Sequence, residues 1–129
     1  DYVESLQMWA QKYPGAGYGG WVNKWIYEDF PEPYNSFGNG SAMRCSSVGW
    51  LFDDENEVLK EAEKSAEITH NHHEGIKGAQ AVALGVLLGR KGFSKNEIKE
   101  MIGDNNPDII TEEILFSKMI KMTEIKGKS

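Results

Sequence analysis

Apolar side chains recur at helical spacing through most of the chain, and glycine and proline separate the helical segments. Val3, Leu6 and Ala10 are three and four residues apart, and they predict a short amphipathic helix that ends near Tyr13. A proline and four glycines follow within YPGAGYGG and end this helix. A second short helix is predicted over residues 20–28, because two tryptophans lie one turn apart there.

The strongest helical pattern lies in the middle of the chain. Asp53 or Asp54 is predicted to cap a helix over about residues 54–69. Its apolar stripe consists of Val58, Leu59, Ala62, Ala66 and Thr69. Residues 76–90 are apolar or small almost all round, so they predict a buried central helix that its neighbours approach closely.

Two further helices are predicted towards the C-terminal end. Ser94 and Glu97 form a capping box for a helix to about Ile102, and Thr111 is predicted to cap a last helix. No segment shows the two-residue alternation of a strand, and there is no internal repeat. The predicted fold class is all-α, a compact multi-helix bundle in one domain over residues 1–129.

Composition and charge narrow the range of partners. Fourteen Lys and Arg against twenty Asp and Glu give a net charge of −6, which repels a phosphate backbone and argues against nucleic acid. Cys45 is the single cysteine, so no intrachain disulfide forms and a reducing compartment fits best. No apolar run reaches the roughly 18 residues of a membrane span, and the first residues lack the pattern of a signal peptide. The sequence therefore predicts a cytoplasmic protein without a membrane partner.

The first candidate site lies in a predicted loop over residues 29–41, where two prolines interrupt helical spacing. Its glycines, Gly38 and Gly40, flank Asn39, and such a turn can aim several backbone N–H groups at an anion. The alternative interpretation is a plain turn. Arg44 either binds a phosphate through two nitrogens or covers apolar surface with its stem.

The second candidate site is THNHHEG, which holds all three histidines of the chain. Helical spacing would pair His70 with His73 or Glu74, but no third ligand is evident, which argues against a metal site. The alternative is a connector whose imidazoles cap helix ends. The many carboxylates are interpreted as caps or solvated faces, and Cys45 as a small buried apolar residue.

Several segments, taken in order, closely resemble the ADP-ribosylglycohydrolase family. They are AGYGGWVNKW, PYNSFGNGSAMR, VGWLFD, EVLKEAEKSAEITHNHHEGIKGAQAVALGV and SKNEIK. The resemblance runs from about residue 1 to residue 101. It implies an all-α fold and hydrolysis of ADP-ribose linkages, usually with two magnesium ions beside the terminal ribose. ADP-ribose or an ADP-ribosylated protein is then the expected partner.

The resemblance also implies a set of ligand-binding residues. The loop that looks like the family's diphosphate-binding segment comprises Ser36, Phe37, Gly38, Asn39 and Gly40. Phe37 is expected to pack near adenine. His70 is similar to the family histidine that hydrogen-bonds ADP-ribose near its terminal ribose.

The family's metal-ligand segments, a Gly-Asp segment before this region and an Asp-x-Asp-Thr segment after it, have no counterpart in the chain. The expectation is a fragment of a larger hydrolase domain that has no metal ligands or assignable catalytic residue of its own, although Mg²⁺ is expected for the complete family fold. Such a fragment is expected to self-associate or to pair with the missing segments. The alternatives are a non-catalytic ADP-ribose binder and a helical remnant without a ligand.

Overall fold

The computed structural model describes residues 1–36 and 38–103. Within these residues the chain forms seven helices and no strand, which confirms the predicted all-α class. The helices are α1 (Tyr2–Lys12), α2 (Gly20–Trp25), α3 (Gly40–Met43), α4 (Ser46–Leu51), α5 (Glu55–Glu67), α6 (His73–Arg90) and α7 (Lys95–Gly103). The predicted helix that begins at Thr111 lies outside the described residues.

Side-chain caps fix where the longer helices begin. Of the two candidate caps of α5, Asp54 is the one that accepts a hydrogen bond from the Glu57 backbone N–H, at 3.0 Å. The predicted capping box of α7 is confirmed, since Ser94 and Glu97 each bond the other's backbone N–H at 3.2 and 3.3 Å. These caps satisfy N–H groups that have no partner within the helix.

Several predicted boundaries are wrong. Helix α2 ends at Trp25 rather than near residue 28, and α6 begins at His73, about one turn before residue 76. The predicted loop over residues 29–41 includes the first two residues of α3, and α4 was not predicted at all. Helices of four and six residues are too short to show a periodic pattern, and packing rather than propensity stabilises them.

Helix α6 is the centre of the main core, as predicted, and packs against α3, α4, α5 and α7. The buried residues of this core are Cys45, Val48, Val58, Ala62, Ala66, Ala79, Ala81, Ala83, Leu84, Leu87, Leu88 and Ile102. Helix α4 approaches α6 so closely that a Cβ built on Gly49 would lie 2.5 Å from the Ala83 carbonyl oxygen. Small residues therefore set the spacing of the helices around α6.

A second, smaller core lies between α1 and α2. Ala10, Trp25 and Ile26 are its buried members. Two glutamines of α1 donate side-chain hydrogen bonds to backbone carbonyls around the end of α2, Gln7 to Trp25 and Gln11 to Ile26, at 3.1 and 2.8 Å. These bonds fix α2 against α1. None of the helices in the described part of the chain is long and apolar enough to cross a membrane.

Candidate functional site

A pocket of about 550 Å³ opens between the α1–α2 region and the loop before α3. Its lining comprises Leu6, Ala10, the stretch 16–22, Ile26, Tyr34, Ser36, Gly38, Asn39, Gly40, Met43, Arg44 and His70. Residues from distant parts of the chain therefore form one concave surface, as a small-molecule site requires.

The described residues of the predicted ligand loop all line this pocket. They are Ser36, Gly38, Asn39 and Gly40. The Gly38 N–H donates to the Ser36 hydroxyl at 3.2 Å, which closes the turn. Asn39 is exposed, and its side chain makes no capping bond to α3. Phe37 lies outside the described residues.

His70 follows the end of α5 and lines the same pocket. Its backbone N–H donates to the Ala66 carbonyl at 2.7 Å, and its residue is only 2% exposed. A Cβ built on Gly40 would lie 3.3 Å from His70 Nε2, so the loop backbone rests almost directly against the imidazole edge. The structure thus brings His70 and the glycine loop together across thirty residues of sequence.

Gly75 holds the loop and His70 against the start of α6. A Cβ at this position would lie 2.7 Å from the Ser36 carbonyl oxygen and 2.9 Å from His70 Cβ. Neither contact is possible for a real side chain without movement of the backbone, because atoms this close overlap. The Ser41 hydroxyl also donates to the Gly75 carbonyl at 2.9 Å, which joins α3 to α6 at the same place.

The electrostatics of the pocket depend on Arg44. Its Nη2 donates to the Ser65 carbonyl at 2.7 Å and to the Thr69 hydroxyl at 2.8 Å. Burial and, to a smaller extent, the Arg44 charge together lower the pKa of His70 to about 4. Burial also lowers the pKa of Arg44 and raises that of Tyr34. At neutral pH the pocket therefore holds a neutral imidazole beside a guanidinium.

Two aromatic rings extend the pocket wall. Trp21 stacks on Tyr34 with ring centroids 6.0 Å apart and an interplanar angle of 22°. Tyr34 in turn lies 6.1 Å from the His70 ring, and its backbone N–H donates to the Thr69 carbonyl at 3.2 Å. Sequence reasoning assigned no site role to Trp21, Tyr34 or Thr69. The one available signal was that aromatic residues are concentrated in the first half of the chain.

The other histidines do not join His70. The Glu74 backbone N–H donates to His72 Nδ1 at 3.1 Å, so His72 caps α6, which confirms the capping interpretation for this residue. His73 lies on the exposed side of the helix start, 3.3 Å from a Glu74 carboxylate oxygen. In residues 1–36 and 38–103, no group of three or more His, Cys, Asp or Glu is arranged to hold a metal ion.

Cys45 takes no part in the pocket. It is fully buried, and its Sγ lies 3.2 Å from the carbonyl oxygens of Ala42 and Ala79. Burial raises the pKa of the thiol to about 11. The expectation of a small buried apolar residue is confirmed, because the thiol is protonated at neutral pH and unreactive.

Comparison with known proteins identifies the class of this helical domain. The sequence model of the ADP-ribosylglycohydrolase family matches residues 1–117, and the chain belongs to that family. It is 31% identical to the ADP-ribosylhydrolases ARH3 of Mus musculus and Homo sapiens, with 80% of the chain aligned to 33% and 34% of their lengths. It is 30% identical to ADP-ribosylhydrolase ARH3 of Gallus gallus, with 88% of the chain and 36% of that protein covered.

The chain thus spans about a third of the length of these curated relatives. No solved structure gives a significant match to the chain.

Proposed function

We propose that the pocket binds ADP-ribose and that the chain is part of a hydrolase that removes ADP-ribose from modified protein side chains. One observation carries this proposal: all the predicted ligand residues that the structure describes line a single pocket, namely Ser36, Gly38, Asn39, Gly40 and His70. The resemblance selected these residues from two separate motifs, and the fold brings the two motifs into contact. The ARH3 relatives are named ADP-ribosylhydrolases, which agrees with the proposed reaction.

The charge of the pocket supports a diphosphate ligand. Arg44 is the one residue with a formal charge among the described lining residues, although the chain as a whole carries −6. A guanidinium in a partly desolvated pocket attracts phosphate oxygens more strongly than the same group in water. Backbone N–H groups of the glycine loop and the Asn39 amide add hydrogen-bond donors. The local charge therefore favours an anion.

The aromatic wall supports a ligand that also carries a flat ring. Trp21 and Tyr34 stack on each other and both line the pocket, and Phe37 is proposed to pack near adenine by resemblance to the family. A ligand with a diphosphate between a nucleoside and a second sugar would then contact the aromatic wall, the glycine loop and His70 together. ADP-ribose has this composition.

The proposed reaction is the family's cleavage of a glycosidic bond to ADP-ribose. Breaking a glycosidic bond through an oxocarbenium-like state needs charge stabilisation at the ribose and an activated water. Mg²⁺, which the resemblance implies for the complete family fold, finds no fitting ligand group in the part of the chain that the structure describes. The role proposed for the described residues is to bind and orient the ligand.

A non-catalytic ADP-ribose binder is the second candidate. The lining residues include no aspartate or glutamate within the described segments, so they do not supply the pair of carboxylates that most glycoside hydrolases use. The binder and the hydrolase share the pocket and differ only in turnover. Release of ADP-ribose from an ADP-ribosylated protein, measured with and without Mg²⁺, separates the two.

The binding proposal is tested by titrating ADP-ribose into the chain, with calorimetry and NMR shifts as readouts. We expect a dissociation constant on the order of tens of micromolar to millimolar, with shifts at residues 38–40 and His70. Asn39→Ala should weaken binding by about fivefold, since it removes a polar partner worth about 1 kcal/mol. Asn56→Ala, at an exposed position on α5, is the matched control and should leave affinity unchanged. Absence of shifts in the loop at millimolar ligand would overturn the proposal.

A further inference from the structure

The side chain of Thr69 lies between Arg44 and His70. Arg44 Nη2 is 2.8 Å from Thr69 Oγ1, and Thr69 Oγ1 is 2.7 Å from His70 Nδ1. Thr69 is 0% exposed and His70 is 2% exposed. Because water is excluded from these atoms, the two hydrogen bonds are not readily exchanged for solvent, and their direction is fixed by the chemistry of the three groups.

The direction of each bond follows from the available protons. A guanidinium has donors only, so Thr69 Oγ1 must accept from Arg44. Two arrangements are then possible between Thr69 and His70. The Thr69 hydroxyl donates its proton to Nδ1, or a protonated Nδ1 donates to Oγ1. In the second case the hydroxyl proton would need another acceptor. The Tyr34 side chain also hydrogen-bonds Thr69. A phenol can donate to the second lone pair of Oγ1, which leaves the Thr69 proton for His70 Nδ1.

The charge of Arg44 favours the same arrangement. The guanidinium lies on the Nδ1 side of the imidazole, joined to it through a single hydroxyl. A lone pair directed towards a cation is stabilised, whereas an N–H directed towards it is repelled. The guanidinium also polarises the hydroxyl and makes it a stronger donor to Nδ1.

The other edge of the imidazole faces the ligand loop. His70 Nε2 lies beside Gly38 and Gly40, where Cβ atoms would be 3.8 and 3.3 Å away, and it has no hydrogen-bond partner among the described residues. A ligand held by this loop would meet Nε2 first. Which atom of the ligand binds there depends on whether Nε2 carries a proton.

We propose that Arg44 and Thr69 are positioning residues that hold His70 as the neutral tautomer with its proton on Nε2. His70 then presents an N–H donor to the pocket and selects an acceptor oxygen of the ligand, such as a phosphate or hydroxyl oxygen. The identity of that ligand as ADP-ribose rests on the proposed function. The tautomer itself does not, because it is set in the ligand-free protein.

The tautomer is measured directly by long-range ¹H–¹⁵N NMR correlation of the histidine side chains in the free chain at pH 7. The signals that disappear in His72→Asn and in His73→Gln belong to those two histidines, so the remaining set is assigned to His70. Asparagine at position 72 keeps a residue type suited to capping. We expect His70 to show an unprotonated, hydrogen-bonded Nδ1 and a protonated Nε2. A protonated Nδ1 would overturn the proposal, and this measurement needs no variant of the network.

Variants at Thr69 test its role as a positioning residue. Thr69→Val keeps the shape but removes the hydroxyl, so the Nδ1 resonance should move to that of an unbonded nitrogen and ADP-ribose should bind about fivefold more weakly. Thr69→Ser restores the hydroxyl and should restore both readouts. An Nδ1 resonance that is the same in Thr69→Val and in the wild type would contradict the proposed bond.

The two proposals fail in different ways. If His70 carries its proton on Nε2 but ADP-ribose causes no shifts, the positioning by Arg44 and Thr69 stands and the proposed function fails. If ADP-ribose binds but Nδ1 is protonated, the pocket keeps its proposed function and the positioning proposal is wrong. Arg44→Met adds a check within the network, since loss of the guanidinium should broaden the Nδ1 resonance or shift it towards the Thr69→Val value.

Discussion

The α1–α2 region and the α5–α6 pair differ in composition and in what they contribute to the pocket. The first lines one side of it, and the second supports the other side, which the glycine loop and His70 form. The first contains large side chains that remain substantially exposed, including Trp9, Tyr13, Trp21 and Phe30 at 54 to 89%. The second consists of alanine-rich and glycine-containing helices whose core residues are almost fully buried. The α1–α2 region offers large exposed side chains, whereas the α5–α6 pair is packed closely through small residues.

A binding site needs surface area to contact its ligand and a fixed geometry for its polar groups, and the two regions supply these separately. The aromatic side offers broad surfaces, and such surfaces tolerate small displacements. The α5–α6 side fixes His70 and the loop through contacts in which no additional atom fits, as at Gly75. We infer that the geometry of the site depends mainly on the packed side, and the following predictions test this asymmetry.

The largest effect is expected from Gly75→Ala. The added Cβ would lie 2.7 Å from the Ser36 carbonyl, so the loop or α6 must move, at a cost of about 2 to 3 kcal/mol in the free energy of unfolding. The same displacement should shift the NMR signals of His70. Urea denaturation followed by circular dichroism measures the first quantity.

Gly78→Ala is the matched control in the same helix. Its Cβ would have the Ala42 side chain as its nearest neighbour, at 4.0 Å, so the substitution fits without strain. Alanine favours the helix over glycine by up to about 1 kcal/mol, and Gly78→Ala should be neutral or stabilising. Equal losses for both variants would show that the packing at Gly75 is not special.

The second prediction concerns the pH dependence of stability. Burial and the Arg44 charge lower the pKa of His70 to about 4, from its ordinary value of 6.5. Between these values the unfolded chain binds more protons than the folded chain, so stability falls as pH falls from 6.5 towards 4. We expect a loss of stability of about 2 to 2.5 kcal/mol at pH 4.5 relative to pH 7.

His70→Gln isolates this contribution, because glutamine does not titrate. The variant should be less stable at pH 7 but should lose less stability than the wild type between pH 6.5 and pH 4.5. Parallel stability profiles for the two proteins would mean that His70 titrates normally in the folded chain.

A smaller effect is expected at the start of α5. Asp54 accepts a hydrogen bond from the Glu57 N–H, so Asp54→Ala should cost about 1 kcal/mol in the free energy of unfolding. Asp53 is the control, since it forms an exposed ion pair with Arg90 at 2.7 Å, and such pairs contribute little. Thermal or urea denaturation should rank Asp54→Ala as the more damaging change. A larger loss for Asp53→Ala would contradict the assignment of the cap to Asp54.

The sequence predicted the long helices of the molecule better than the short ones, for a physical reason. Helices α5 and α6 are long enough to show periodicity and caps, so their type and approximate extent were predicted correctly. Helices α3 and α4 are too short to show either, and they form because α6 provides a surface for them.

The candidate site shows the same limit. The loop residues and His70 were predicted from motifs, because each motif is a continuous stretch of sequence. Thr69 was assigned only to an apolar stripe, and Tyr34 to a loop. Thr69 hydrogen-bonds Arg44 and His70, and the Tyr34 ring contacts the His70 ring. These contacts depend on how the loop folds back onto the end of α5. No spacing rule reports such a contact.

The smallest effect is expected on the aromatic side, from Trp21→Ala. The residue is 71% exposed and its ring contact is to Tyr34, so its removal should change the free energy of unfolding by less than about 1 kcal/mol. The comparison is then sharp: loss of a whole indole in one region should cost less than gain of one methyl group at Gly75 in the other. Urea denaturation followed by circular dichroism compares the two variants directly. A larger loss for Trp21→Ala would place the structural anchor of the pocket on the aromatic side, against the packing argument.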